Sequence, residues 1–180
     1  MTINNLVANL KFHQIVTMAN FWRLLVFMLA LQATIPASAN DSAHALAAYP
    51  ALETQPLTIL GENGQSFVFK IEIASEPQEQ SRGLMHRKTM SPDAGMLFVW
   101  DSERPVNMWM KNTHLSLDML FIDAQGIIVH IAPRTTPLSE AIIDSKQPVS
   151  AVLELLGGTT EKHAIKVGNR VIHPHFKPSP

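Results

Sequence analysis

Phe67, Phe69, Ile71 and Ile73 recur at every second position, with Ser66, Lys70 and Glu72 among the residues between them. Only an extended chain turns residues two apart to one side, so Gln65–Ala74 reads as a half-buried strand. Such a strand needs neighbours for its backbone and a cover for its apolar face. Leu57–Leu60 precedes it across Gly61-Glu62-Asn63-Gly64, whose Asn-Gly pair is a strong hairpin signal. Met96–Trp100, Val106–Lys111, Asp118–Ala124, Ile127–Ala132, Val149–Leu156 and Arg170–His173 follow as further strands. Asp118–Ala124 and Ile127–Ala132 pair across Gln125-Gly126, and Val149–Leu156 ends at Gly157-Gly158.

Helix is scarce. Ser75 fits an N-cap, with Gln78 three residues on and Pro77 in the first turn; that helix ends near Gly83. Glu76 and Glu79 suit its positive end. Thr159–Ala164 allows one more helical turn, and Pro133–Pro148 is a long irregular connection. The expected fold is mainly β: a single compact β-barrel or sandwich-like domain with one or two short helices.

The chain in front of that domain has a different character. Residues 1–39 contain no Asp or Glu. Phe21-Trp22-Arg23 leads into the apolar run Leu24–Leu31, Pro36 follows, and Ala37-Ser38-Ala39 completes an A-x-A site. This predicts a secretory signal peptide cut after Ala39, with Met18 opening a tidier signal than Met1. The run falls short of the roughly 20 apolar residues a membrane span requires, so no stable anchor is expected after cleavage. Residues 40–56 hold five alanines and two prolines without a sustained period, a flexible leader before a β domain at 57–180. The expected location is the periplasm or the extracellular space.

From Asn40 onward 12 basic side chains face 15 acidic ones, a net charge of −3 that gives no electrostatic basis for nucleic-acid binding. The absence of cysteine excludes a disulfide framework, a thiolate nucleophile and cysteine-held zinc or iron–sulfur. No cofactor motif is visible, and no G-x-S-x-G elbow marks a serine nucleophile.

Five motifs then occur in order: Gly83-Leu84-Met85-His86-Arg87, Gly95-Met96-Leu97-Phe98, Trp109-Met110-Lys111-Asn112-Thr113, Leu117-Asp118-Met119-Leu120-Phe121-Ile122-Asp123 and Val152-Leu153-Glu154-Leu155. Together they resemble the DUF192 family of small, often exported bacterial and archaeal proteins. The resemblance runs from about Thr58 to Val171. It implies a compact, β-rich, barrel-like fold and no particular reaction, the family being named for unknown function. Ser116 stands where the family usually has proline, and Asn169 follows Gly168 where it usually has aspartate. A mechanism resting on that aspartate would be missing here.

Two carboxylates, Asp118 and Glu154, interrupt apolar strands. A buried carboxylate costs several kcal/mol unless it is paired or hydrogen-bonded, and Arg82, Arg87 or Lys111 are candidate partners. The pair also offers a hydrolase-type acid and base. Lys111-Asn112-Thr113-His114 follows a strand end, where loops on a rigid scaffold tend to carry function. Its ammonium, amide, hydroxyl and imidazole suit an anionic or polyhydroxylated ligand, with Trp109 as a flat wall. A plain polar turn is the alternative. The methionines between Met85 and Met119, with His86 and His114, raise periplasmic copper handling; methionine filling the barrel core is the simpler expectation. His163, His173 and His175 are a weaker chelating set. The leading reading is a non-catalytic module binding a small ligand, glycan or peptide in a cleft edged by Arg87, Trp109, Lys111, Asn112, Thr113, His114, Asp118 and Glu154. The alternatives are the hydrolase and the copper protein.

Overall fold

The structure, a computed structural model, describes residues 52–176. The expected signal peptide, most of the expected leader and the last residues of the chain lie outside the described residues.

Strands β1 (Thr54–Leu60) and β2 (Ser66–Ala74) form the expected hairpin, with Leu57 opposite Phe69 and Ile59 opposite Phe67. β1 starts inside the stretch expected to be leader. Helix α1 (Pro77–Arg82) and its following loop cross over to β3 (Ala94–Arg104), which lies parallel to β2. A parallel pair requires such a crossover, because a tight turn reverses the chain. β5 (Leu117–Ile122) and β6 (Ile128–Ala132) form the second expected hairpin. β8 (Val149–Leu156) inserts between β5 and β3, helix α2 (Thr159–Lys162) follows, and β9 (Arg170–Ile172) pairs with β1. The sheet order is β6-β5-β8-β3-β2-β1-β9.

The sheet curls until its edges meet at one end. Ile127 bridges Arg170, Ile128 N–H donates to Asn169 O at 2.9 Å, and Val171 N–H donates to Gly126 O at 2.7 Å. Joining the edges removes unpaired strand groups that would otherwise recruit other chains. Asn169 earns its place locally: its side-chain oxygen accepts from Lys166 N–H at 2.9 Å and shapes the turn into β9. An aspartate in its place would accept the same bond.

Both faces of the sheet are covered, by different residues. Leu57, Ile59, Phe69, Ile71, Leu97, Leu120, Leu153 and their neighbours fill the inside of the curl. A second apolar cluster covers the outer face, built on Met96, Phe98, Met119, Phe121 and Val152 and overlaid by Leu84, Val106 and Met110. The expectation that methionine fills the barrel interior is thus corrected: Met96, Met110 and Met119 are buried in the outer cluster, with Met90 and Met108 packed against it. Alternation explains this, since Met96 and Met119 sit out of phase with Leu97 and Leu120.

Two local expectations also shift. The cap of α1 lies at Glu76, one residue beyond Ser75, and Glu79 in place of Gln78 accepts from Ser75 N–H at 3.0 Å and Glu76 N–H at 2.9 Å. The expected strand Val106–Lys111 contracts to β4 (Asn107–Met108). It pairs with β7 (Ile143–Asp144), a strand inside the stretch expected to be irregular.

Candidate functional site

Register places four side chains in a row on the outer face. Glu72 of β2 lies beside Met96 of β3, Met96 beside Glu154 of β8, and Glu154 beside Met119 of β5. The two acids in that row are treated differently. Glu72 meets the Arg87 guanidinium at 2.5 and 2.8 Å and also accepts from Leu52 N–H at 3.2 Å. This forked pair answers the cost of burying Glu72. Glu154 is only 4% exposed, and among the described residues no cation or hydrogen-bond donor meets its carboxyl. Burial between apolar neighbours pushes it up to about 8. At neutral pH it is mostly a carboxylic acid, able to donate one hydrogen bond and accept another.

The Glu154 carboxyl borders a cleft of about 340 Å³. Phe98, Trp100 and Trp109 supply aromatic surface, Met85 and Met108 supply thioethers, and Arg82 and Arg104 bring guanidinium groups. Three features of the chain shape it. The β3–β8 pairing runs regularly to Val99–Ala151 and resumes only at Arg104–Val149. The irregularity carries Trp100 and the residues after it away from the sheet, as bulges do. Gly83, at a φ of +49°, ends α1 against the Phe98 ring, where a Cβ would come within 2.9 Å of the ring carbon Cζ. Gln80 straps α1 to the sheet by donating from Nε2 to Val99 O at 2.8 Å. Trp109 is 44% exposed, and the Lys111 ammonium sits 5.3 Å from its ring centre, within cation–π range.

Of the residues picked out from sequence, Trp109, Thr113 and Glu154 line this cleft. Arg87 is committed to Glu72, and Lys111 lies 3.8 Å from Glu140. Asn112, with a φ of +55°, and Thr113 shape their own turn: Thr113 Oγ1 donates to Lys111 O at 3.2 Å, and Asn112 O accepts from His86 N–H at 2.9 Å. His114 is exposed outside the cleft lining. Arg82, expected only as a partner for a buried carboxylate, lines the cleft as well, and Met85, Trp100 and Arg104 are lining residues that strand patterning does not single out; the order of the motifs hints only at Met85.

Asp118 is fully buried and has a structural task. It accepts from Arg134 N–H at 2.8 Å, Gly158 N–H at 3.0 Å, Thr160 N–H at 2.8 Å and the Thr160 hydroxyl at 2.7 Å. Desolvation, the largest single influence, favours its neutral form, yet the four donors together outweigh it and hold the carboxyl below its usual range. Asp118 therefore ties the start of α2 and the loop after β6 to the sheet. Its register partner is Leu155, whereas that of Glu154 is Met119, so the two carboxylates point to opposite faces. The hydrolase-type pair expected from sequence is not assembled. The three histidines do not form a chelating set: the His163 ring lies 4.7 Å from that of Phe67, whereas His173 Nδ1 accepts from His175 N–H at 3.2 Å, with His173 Nε2 turned to Gln55 and His175 Nε2 to Ser150 O.

A curled seven-stranded β domain with one buried, uncompensated acid at the foot of an aromatic cleft is the class of protein these residues define. The DUF192 family profile, described as uncharacterized ACR, matches residues 58–173, and the chain belongs to that family. Two solved structures share the fold. One, from Sinorhizobium meliloti 1021, carries the working description of a transcription regulator; it is 41% identical, covers 71% of this chain and 99% of its own, and superposes with a TM-score of 0.69. The other, a protein of unknown function from Novosphingobium aromaticivorans DSM 12444, is 32% identical, covers 69% of this chain and 90% of its own, and superposes with a TM-score of 0.66. Comparison with the curated proteins returns no match.

Proposed function

We propose that this protein is an exported, non-catalytic binding module that holds a small ligand in the cleft above Glu154. One observation carries the reading. Glu154, only 4% exposed, opens its carboxyl to the cleft and meets no cation or hydrogen-bond donor among the described residues, where a packed apolar side chain would stabilise the fold more. An acid kept in such a place, open to a cleft and without a charged partner, is a mark of a ligand site. Aromatic walls with a few converging polar groups are the usual make-up of one. A single acid without a second carboxylate in the lining favours binding over acid–base hydrolysis. Export rests on the signal-like residues 1–39, and the net charge of −3 after them favours a small ligand over nucleic acid, whatever the working description of the Sinorhizobium relative.

The test is native mass spectrometry of the protein purified from its producing cells, joined to NMR of its tryptophan indole N–H groups. A mature mass beginning at Asn40 together with a co-purifying small molecule, whose removal shifts the Trp100 and Trp109 signals, is expected. Purification from the cytoplasm with an intact N-terminus would refute export. Indole signals unmoved by sugars, amino acids, quaternary amines and short peptides would refute the cleft as a binding site.

A further inference from the structure

The charges around the cleft are sorted by depth. Glu154, a latent anion, is at the buried foot. Arg104 is exposed at the end of β3, and Arg82 is half-buried at the end of α1. Aromatic rings and thioethers line the same cleft over its whole range of burial, from Phe98 at 2% exposed to Trp109 at 44%. Register sets uncharged Met96 of β3 and Met119 of β5 beside Glu154; Met85, Phe98, Met108 and Thr113 line the same cleft, whose charged members besides Glu154 are Arg82 and Arg104. The nearest acid in the row, Glu72, is already neutralised by Arg87.

Each simple ligand class meets an obstacle in this arrangement. A lone anion would be drawn to the guanidinium groups but would find an acid beneath. A lone cation would pair with Glu154 but pass the exposed Arg104 on entry. A neutral sugar would use the acid as a hydrogen-bond partner and leave the charge of Arg104 unused. A ligand carrying both charges, positive end first, meets the buried acid, the aromatic lining and the exposed Arg104 together. Aromatic faces and polarisable sulfur attract a diffuse, methylated cation without needing hydrogen-bond acceptors.

We infer that the cleft takes a small zwitterion of the betaine type, its methylated ammonium against the Glu154 carboxylate between aromatic walls and its anionic end toward Arg104. This rests on the cleft being a binding site. Pairing with the ammonium requires Glu154 to ionise, so the acid proton leaves to solvent as the ligand enters. No bond other than that O–H is broken. Neither end of glycine betaine titrates near neutrality, so any proton released comes from the protein.

The experiment is calorimetric titration of the full chain with glycine betaine, with choline and with maltose, in buffers of different ionisation heat. Betaine is expected to bind with release of about one proton at pH 7 and with affinity rising about tenfold from pH 6 to pH 7, since the ionised fraction of Glu154 rises by that factor. Glu154→Gln should remove the proton release and lower betaine affinity at least about tenfold, by loss of a buried charge partner. Arg104→Gln should weaken betaine and leave choline unchanged. Indole N–H spectra matching the parent protein confirm that the variants are folded. Maltose binding that shifts Trp100 or Trp109 without proton release, with betaine inert, overturns the zwitterion and leaves the cleft as a binding site. Inertness to all three probes overturns the zwitterion. Betaine binding that survives Glu154→Gln unchanged also overturns it.

Discussion

Replacing Glu154 with glutamine should make the protein more stable, and increasingly so as the pH rises. The Glu154 carboxyl is pushed from an ordinary value near 4.5 up to about 8 by burial. The folded state therefore keeps a proton that the unfolded chain gives up above pH 4.5. Stability tied to this group is fully present below about pH 4.5 and is lost as the pH climbs to about 8. Each pH unit in that window costs about 1.4 kcal/mol. At pH 7 the native protein has thus forgone about 3 kcal/mol, and near pH 8 somewhat more. Glutamine keeps the shape and cannot ionise, so it escapes the loss. Thermal unfolding followed by circular dichroism should show the two proteins within about 1 kcal/mol at pH 4.5 and separated by roughly 10 °C at pH 7. A gap that is absent at pH 7, or constant from pH 4.5 to pH 8, would refute the placement of an uncompensated acid on the outer face. The same measurement bears on function, because a residue that lowers stability at the pH where the protein works is retained for another reason.

Two further substitutions probe the scaffold. Asp118→Ala strands three backbone N–H groups and the Thr160 hydroxyl, and should cost about 3–5 kcal/mol in urea unfolding. Because the native carboxyl is held below its usual range, this difference should persist at pH 5 and shrink only as the pH falls below about 4; a loss under about 1 kcal/mol would count against the structural role. Gly95→Ala would set a Cβ 2.6 Å from Glu154 O and 2.7 Å from Leu155 Cδ2, forcing β3 and β8 apart. A cost of about 2–3 kcal/mol is expected from thermal unfolding, and an unchanged Tm would show the strands to be more loosely joined.

The parts of the fold legible from sequence are those written in local chemistry. Alternation in β2 and the Asn-Gly turn before it announce the first hairpin, and Gln125-Gly126 announces the second. The cap of α1 falls one residue beyond Ser75 because Ser75 and Glu76 both suit the position, and the choice follows from which backbone N–H groups Glu79 reaches. β7 escaped notice because a two-residue strand has no period to detect. Within the cleft, Trp109 and Thr113 were found for their chemistry and their position after a strand. Trp100 and Arg104 were not, since only the break in pairing after Val99 turns them toward it.

The sequence by itself determined that this is a β domain with two hairpins, a short helix, no cysteine chemistry and two acids in apolar strands. Only the tertiary structure decided what those acids do. β5 is buried throughout and β8 along nearly its whole length, because the sheet is covered on both faces. In such strands the apolar signal has no period of two, so nothing local says which way a side chain points. Pairing with distant strands sets the register, turning Asp118 to the donors of α2 and Glu154 to the open cleft.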